Sequence, residues 1–328
     1  MIHPIPAGTR DVLPDEMREL RKLKNALLDV FERRGYGEVA TPAIEYEETM
    51  AQGEGRTARS SYRFFDEGGE LLALRSDMTV PIARLVAGRY ADSEPPHRLC
   101  YLASAYRAVR PQSGQLREFE QAGVELIGVP GAEGTVEVVE VLEAALDAAG
   151  LGSAVIGLGD ADLYRQLLEE LGVEGEARNA ILASLAAHDL VGLEERLSRA
   201  GIGAARVETC VALTQLRGGK EVLERARGLG GEAVERAISR ISETYEGLER
   251  RGAAERVQID LGLLRDLGYY SGAILEVYDP AVGYVLGGGG RYDGLIKRFG
   301  LDLPAAGFGL YLQRVHTAQL EEQGRGGS

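Results

Sequence analysis

Polar and apolar side chains alternate through residues 106–125 in a pattern that could line a ligand pocket. The segment predicts an antiparallel hairpin, because both arms alternate and Gly114 stands at the turn between them. Such a hairpin can build a binding site. The apolar residues that can anchor its arms are Tyr106, Val109, Leu116, Phe119 and Val124, and the polar residues left free to project are Arg107, Arg117, Gln121 and Glu125.

A second group of candidate ligand residues follows a short predicted strand at residues 71–74. Ser76 or Asp77 can cap the helix that carries residues 80–89, because hydroxyl and carboxylate oxygens accept the free N–H groups of a first helical turn. Asp77 could instead face a ligand, and the pattern alone leaves both roles open.

Four consecutive glycines at residues 287–290 precede Arg291 and Tyr292. Glycines in a strand context permit close approach between the backbone and a ligand. A phosphate-binding loop is the alternative, but no Lys-Ser/Thr pair follows the glycines and no dinucleotide fingerprint surrounds them. We therefore expect these glycines to line a pocket rather than to hold phosphate.

The elements that must position these residues alternate between strand-rich and helix-rich parts of the chain. Apolar residues recur at helical spacing over 14–34, and residues 163–251 are almost wholly helical in pattern. This order predicts an α+β fold in which an antiparallel sheet is flanked by helices and interrupted by a mostly helical insertion. Strand patterns occupy residues 38–42, 71–74, 154–158, 257–261, 273–278, 283–286 and 306–312.

The predicted domain boundaries follow from this order of elements. Residues 1–160 and 252–320 would form the sheet-containing core, and residues 161–251 the helical insertion. The sequence closes on Gly-Arg-Gly-Gly-Ser, so we expect residues 321–328 to form a flexible tail.

Composition excludes several classes of protein. The 328 residues carry a net charge of -14, which argues against a general surface for polyanions, since these need clustered Lys and Arg. Cys100 and Cys210 lie far apart, so neither a disulfide framework nor a metal cluster is expected. The sequence has no membrane-spanning apolar run and no signal peptide at its start, so we expect a cytoplasmic protein.

Several motifs resemble those of histidyl-tRNA synthetases, which are class II aminoacyl-tRNA synthetases. The hairpin at 106–125 is similar to motif 2 of that class, and Gly8 to Asp11 with the following helix is similar to its motif 1. Arg265 to Tyr270 resembles the second histidine-binding signature, whose usual form is Arg-Gly-Leu-Asp-Tyr-Tyr, although its Gly and Asp positions are altered. The resemblance covers residues 5–130 and 255–318 and implies the class II catalytic fold.

The resemblance also implies which residues would bind histidine. A zwitterionic histidine needs carboxylates for its ammonium group, a guanidinium for its carboxylate, and fixed polar partners for its imidazole. Core packing is the alternative role for the two tyrosines. The implied partners are Asp77, Thr79 and Gln121 for the amino group, Arg107 and Arg265 for the carboxylate, and Glu125 with Tyr270 for the imidazole, with Tyr269 lining the pocket.

The chain departs from the synthetase pattern where the family binds ATP. Val109 replaces the Glu of motif 2, and in motif 3 Tyr311 replaces a glycine and Gln313 replaces an acid. Each lost polar partner costs roughly 1–3 kcal/mol of binding free energy, so we expect ATP binding to be crippled. The sequence also ends soon after Gln319, where a synthetase would continue into an anticodon-binding domain.

This combination resembles the regulatory subunits of ATP phosphoribosyltransferase, which are paralogues of histidyl-tRNA synthetase. The resemblance implies a non-catalytic protein that binds L-histidine and uses no cofactor. It would form a homodimer within a hetero-oligomer that contains the short-form catalytic subunit, and no tRNA is expected as a partner. A truncated, active histidyl-tRNA synthetase and an accessory protein acting on tRNA or another acceptor are the alternatives.

Overall fold

The computed structural model describes residues 4–54, 61–108, 116–229, 231–264 and 268–326. The hairpin tip around Val109 and the signature residue Arg265 therefore lie outside the described residues. The strands are β1 (Gly37–Glu38), β2 (Ile44–Tyr46), β3 (Arg63–Phe65), β4 (Leu71–Leu74), β5 (His97–Tyr106), β6 (Glu118–Ile127), β7 (Val155–Asp160), β8 (Arg217–Gly218), β9 (Val257–Asp260), β10 (Ala273–Tyr278), β11 (Val285–Arg291) and β12 (Ala305–Tyr311). The helices are α1 (Pro14–Arg33), α2 (Glu47–Glu54), α3 (Thr79–Arg89), α4 (Gly131–Ala148), α5 (Leu163–Glu170), α6 (Gly175–Ala186), α7 (Leu190–Arg199), α8 (Ala204–Thr214), α9 (Glu221–Arg227), α10 (Glu232–Arg251) and α11 (Leu312–Gly326).

Nine of these strands form one central sheet in the order β1-β5-β6-β12-β11-β10-β7-β9-β8. Its pairs are antiparallel except for β1 with β5 and β7 with β9, which are parallel. The predicted α+β fold with a mainly antiparallel sheet flanked by helices is therefore confirmed. The motif 2 arms are β5 and β6, and β12 carries the start of motif 3 beside them.

The two faces of the central sheet differ because side chains alternate along each strand. On one face Val124, Phe308 and Leu310 are buried in the main core, which α1 and α4 cover. Phe31 of α1 packs edge-to-face on Phe308, with ring centroids 6.0 Å apart. The opposite face of the same strands carries Gln121 and is left for a binding site.

The predicted insertion contains α5 to α10 together with the short strand β8. β8 pairs antiparallel with β9, and the Leu261 N–H donates to the Leu216 carbonyl at 3.0 Å. Helix α10 packs along α4. Thus the central sheet continues from the motif 2 hairpin into the segment that the sequence marks as an insertion.

The C-terminal residues differ from the sequence-based expectation. A flexible tail was expected over 321–328, but α11 continues to Gly326. Two side chains attach this helix to the loop after α4. The Gln319 amide donates to the Ala149 carbonyl at 2.6 Å, and the Glu322 carboxylate accepts the N–H groups of Gly152 and Ser153 at 3.0 Å each. These bonds order a stretch whose composition alone suggests disorder.

A second sheet of three strands lies apart from the first in the order β2-β4-β3. Its register places Tyr46 and Phe64 on either side of Leu72, and Ile44 lies on the same face as Tyr46. This face is apolar and open to solvent, with Tyr46 57% and Ile44 48% exposed. Across the described ranges, no helix has both the length and the apolar character that crossing a membrane requires.

Candidate ligand-binding site

Glu125 lies at the centre of the polar face of the sheet and is only 1% exposed. Its carboxylate accepts a hydrogen bond from the Thr79 hydroxyl at 2.8 Å and another from the Tyr292 hydroxyl. Burial raises the pKa of Glu125 from 4.5 to about 8, because desolvation disfavours its charged form more than the two hydroxyls stabilise it. In the unliganded protein the protonated form of Glu125 is therefore favoured at neutral pH.

Glycines form a floor beside this carboxylate. The glycine floor consists of Gly123 on β6 and Gly307 and Gly309 on β12, where Gly307 lies opposite Glu125 and Gly309 opposite Gly123. A Cβ atom on Gly307 would overlap the Glu125 carboxylate, and one on Gly123 would overlap the Phe308 carbonyl. Glycine is therefore required in these strands despite its low strand propensity, and the pocket is lined there by main chain.

Asp77 approaches the same space from the start of α3 and is 5% exposed. One carboxylate oxygen accepts the Val80 N–H at 3.3 Å, and the other accepts the Tyr269 hydroxyl at 3.2 Å. Burial raises the pKa of Asp77 above its ordinary value, although the Val80 N–H and the Arg107 guanidinium act in the opposite direction. The side chain thus bonds to the first turn of the helix, as the capping role predicts, and its role toward a ligand stays a prediction.

Buried tyrosines form one wall of the pocket. The ring centroid of Tyr269 lies 4.9 Å from that of Tyr270 and 6.0 Å from that of Tyr292. Burial raises the pKa of Tyr269 and Tyr292 well above the ordinary value, so both hydroxyls keep their protons and act as donors to the carboxylates. The aromatic wall therefore fixes the two acids instead of only filling space.

Gln121 carries a buried acceptor without a partner among the described residues. The side chain is 6% exposed, and its Oε1 atom makes no hydrogen bond there. Its Nε2 atom lies 3.3 Å from the point where a Cβ atom on Gly309 would stand, which places the amide beside the glycine floor. A buried polar atom left unpaired costs free energy, so such an atom in a pocket indicates a missing donor.

Arg107 lies at the end of β5 and supplies a guanidinium to this face. Its Nη1 atom donates to the Tyr311 hydroxyl at 3.2 Å, and its Cζ atom lies 4.9 Å from the ring centroid of Phe119. Burial lowers the pKa of Arg107, but the nearby Tyr311, Asp77 and Tyr269 raise it by a larger amount, so the net shift is upward. The guanidinium therefore stays charged.

Tyr311 stands between two arginines at this end of the face. The Arg314 Cζ atom lies 4.7 Å from the Tyr311 ring centroid, and the Arg107 Cζ atom lies 5.7 Å from it. Arg314 also donates to the Val285 carbonyl at 2.6 Å. Gln313 accepts the Glu120 N–H at 3.1 Å, so it is bonded to the hairpin backbone. The three motif 3 residues therefore bond to or stack on the protein itself.

The structure brings most of the predicted ligand residues to one pocket. Arg265 lies outside the described residues, so its position stays a prediction. Tyr292 follows the glycine run in the sequence but was not predicted as a site residue, because only the fold reveals its contact with Glu125. The predicted residues that meet here are Asp77, Thr79, Arg107, Gln121, Glu125, Tyr269 and Tyr270.

Comparisons with known proteins match nearly the whole chain. A family model described as histidyl-tRNA synthetase matches residues 8–315. An ATP phosphoribosyltransferase regulatory subunit of Symbiobacterium thermophilum is 43% identical over 323 residues, which cover 98% of this chain and 80% of the relative. A regulatory subunit of the same name from Moorella thermoacetica is 41% identical over 319 residues, which cover 97% of this chain and 82% of the relative.

A solved structure agrees with these sequence matches. The crystal structure described as an ATP phosphoribosyltransferase regulatory subunit/histidyl-tRNA synthetase from Bacillus halodurans C superposes with a TM-score of 0.88 at 34% identity. The match covers 97% of this chain and 84% of that one. The predicted class II synthetase-like fold is therefore confirmed.

Proposed function

Because the chain belongs to the histidyl-tRNA synthetase family, among the ATP phosphoribosyltransferase regulatory subunits, we propose that it binds L-histidine and regulates a catalytic subunit of that transferase. The regulated reaction is the first step of histidine biosynthesis, so the ligand is the end product of the pathway. Binding of histidine would convey feedback inhibition to a short-form catalytic subunit, and the subunit itself would be needed for activation.

The observation that carries this proposal is the pairing of two buried acids with an unsatisfied amide oxygen. Asp77 and Glu125 both have raised pKa values because burial disfavours their charged forms. A cationic ligand group would relieve that penalty, since a positive charge beside a carboxylate favours ionisation. The ammonium group of an amino acid can also donate to the Gln121 Oε1 atom, which has no partner among the described residues.

The remaining groups suit the rest of a histidine molecule. Arg107 offers a permanent charge for the carboxylate, and Arg265 is the second guanidinium that the sequence predicts for this role. Glu125 and Tyr270 can fix the two ring nitrogens of an imidazole, one as a charged acceptor and one through its hydroxyl. The glycine floor leaves room for the ring to approach the sheet.

We propose further that the protein does not activate histidine with ATP. Tyr311 fills the space between Arg107 and Arg314, and the motif 3 acid is replaced by Gln313, which bonds to the hairpin backbone. A nucleotide would have to displace the ring and break the bond between Arg107 and Tyr311. Histidine-dependent exchange of pyrophosphate into ATP by the purified protein would refute this part and favour an active truncated synthetase.

Calorimetry with L-histidine is the direct test of the ligand. We expect a micromolar dissociation constant, on the order of -8 kcal/mol, because several charged and polar groups converge on one zwitterion. No heat with millimolar histidine would refute the site.

In a mixture with the catalytic subunit, Tyr270→Ala should abolish inhibition by histidine and leave activation intact, since inhibition requires ligand binding and assembly does not. Inhibition that survives this substitution would place the regulatory site on the partner.

We also propose that the chain forms a homodimer within the larger complex, and that the apolar face of the small sheet contributes to the dimer interface. Tyr46, Ile44 and Phe64 are exposed together on this face, and burying them between two copies would remove apolar surface from water. Tyr46→Glu should shift the protein to monomers in sedimentation experiments. Val191→Glu, at a residue that is 71% exposed on α7, is the matched control and should leave the dimer unchanged.

A further inference from the structure

The residues before α1 form a short segment that reaches the hairpin carrying Arg107. Residues 4–13, here called the N-terminal strap, contain a tight turn in which the Thr9 N–H and hydroxyl both bond to the Pro6 carbonyl, at 3.1 and 2.7 Å. Gly8 occupies the third position of this turn with φ +81°. Position i+2 of a type II turn requires a positive φ, which glycine adopts without strain.

The strap is bonded to the outer arm of the hairpin through one main-chain contact. The Arg117 N–H donates to the Gly8 carbonyl at 2.7 Å. The contact is close, because a Cβ atom on Gly8 would lie 2.8 Å from the Arg117 Cγ atom and 3.1 Å from its Cδ atom. Gly8 is therefore required twice, for the conformation of the turn and for the approach to Arg117.

Arg117 in turn holds the backbone of Arg107. The Arg107 N–H donates to the Arg117 carbonyl at 2.8 Å, just beyond the last paired residues of β5 and β6, which are Tyr106 and Glu118. On the other side, the Tyr106 N–H donates to the Arg75 carbonyl at 2.9 Å. Two consecutive residues are thus held by the carbonyls of Arg117 and Arg75, and the strap is bonded to Arg117, which supplies one of these two supports.

We propose that the N-terminal strap is a positioning element for the carboxylate end of the histidine site, with Gly8 acting through Arg117 on Arg107. The inference rests on the proposed histidine binding, in which Arg107 meets the ligand carboxylate. Paired strands open most easily at their ends. The bond between Arg107 and Arg117 lies just beyond the last β5–β6 pair, so its stability determines how well the Arg107 side chain is positioned. At the opposite end of the pocket, Asp77 and Glu125 are bonded instead by Val80, Thr79 and the hydroxyls of Tyr269 and Tyr292.

Histamine separates this role from a general effect on folding, because it keeps the imidazole and the ammonium group of histidine but lacks the carboxylate. The experiment measures both ligands by calorimetry against the full-length chain and its Gly8→Ala variant. Histidine should bind about tenfold more weakly to the variant, the weight of one charge-assisted hydrogen bond, while histamine affinity stays unchanged. Arg107→Ala should likewise lower the affinity for histidine and leave the affinity for histamine unchanged, so that the ratio of the two affinities falls.

Gly69→Ala is the matched control. Gly69 has φ +85° in the turn between β3 and β4, and a Cβ atom there would meet nothing within 4 Å. The control therefore strains a left-handed glycine to a similar degree without touching the hairpin, and it should leave both affinities unchanged. A second variant that deletes residues 1–8 removes the Gly8 carbonyl together with the turn, so that no residue is forced into a strained conformation, and it should repeat the selective loss if Gly8→Ala fails to fold.

Two results would overturn the inference. Equal weakening of histidine and histamine would mean that the strap supports only the fold, and unchanged affinities for both would mean that Arg107 is placed without it. Failure of the unmodified protein to bind histidine is a different outcome, which refutes the proposed function itself.

Discussion

The two ends of the polar face use their charged groups differently. At one end, Glu125 and Asp77 are held by hydroxyl groups from Thr79 and two tyrosines, and they surround an amide oxygen that lacks a partner among the described residues. At the other end, the Arg107 guanidinium packs against Tyr311, a side chain of the protein itself.

Under the proposed function, this difference separates the end that would gain most from a bound cation from the end that the protein's own side chains already satisfy. Buried acids whose pKa values are raised by desolvation are costly unless a cation binds beside them. Burial also disfavours the charged form of Arg107, but Tyr311, Asp77 and Tyr269 more than offset this effect, so the pKa of Arg107 is raised. We therefore expect a cationic ligand group at the first end and no nucleotide at the second end.

The largest effect on ligand affinity is expected from removing the charge of Glu125 at the acidic end of the face. Glu125→Gln keeps the size of the side chain but removes its charge, so we expect histidine affinity to fall about a hundredfold, in line with roughly 3 kcal/mol for a buried charged partner. Calorimetry would measure the loss. Glu120→Gln on the same strand is the control, since Glu120 pairs with Lys24 on α1 and should leave affinity unchanged. Comparable losses in both variants would contradict the central role of Glu125.

Removing the Tyr311 side chain should test whether it is what keeps nucleotide away from Arg107 and Arg314. Tyr311→Gly removes the ring between Arg107 and Arg314, so we expect measurable binding of a fluorescent ATP analogue where the unmodified protein shows none. Tyr284→Ala is the control. The Arg314 Cζ atom lies 5.6 Å from the Tyr284 ring centroid, but Tyr284 does not stand between the two arginines. Nucleotide binding by the unmodified protein, or equal binding by both variants, would show that Tyr311 is not what excludes ATP.

The smallest expected effect is on stability as a function of pH. Because the folded protein raises the pKa of Glu125 from 4.5 to about 8, this group stabilises the unliganded fold fully below pH 4.5, and that contribution is lost as pH rises through 8. Urea unfolding should therefore show a decline in stability over this interval that Glu125→Gln reduces. Saturating histidine should reduce it as well, and an identical decline in the unmodified protein and the variant would assign it to other groups.

Much of the fold follows from local patterns in the sequence. Helical spacing over 14–34 predicted α1 to within one residue, and the strand expected at 273–278 matches β10. Helix α1 buries one regular stripe, which is the property that helical periodicity measures, whereas β10 is a short apolar run that is buried on both faces. The expected strand at 38–42 shortened to β1, which pairs with only two residues of β5.

The glycine run shows where local preference fails. A strand was expected over 283–286, but β11 extends through all four glycines to Arg291. The backbones of β10 and β12 pair with it on both sides, and this long-range hydrogen bonding overrides the low strand propensity of glycine.

The residues of the candidate site also fall into two groups, those that a local motif indicates and those that only the fold reveals. Resemblance to contiguous synthetase signatures indicated Glu125, Gln121 and Asp77, and their role toward a ligand stays a prediction. Tyr292 was missed because its contact with Glu125 spans 167 residues and exists only after β6 and the end of β11 are brought together. No local pattern encodes that distance.

The glycine floor limits how the ligand preference of such a pocket can evolve. Any single substitution at Gly123 or Gly307 adds atoms against a main-chain carbonyl or against the carboxylate of Glu125. Point mutation there can only make the pocket smaller, and enlarging it would require the strands to separate. Lineages that keep this floor would therefore acquire new ligands by exchanging acids and tyrosines on the walls, within an upper limit of size that the main chain sets.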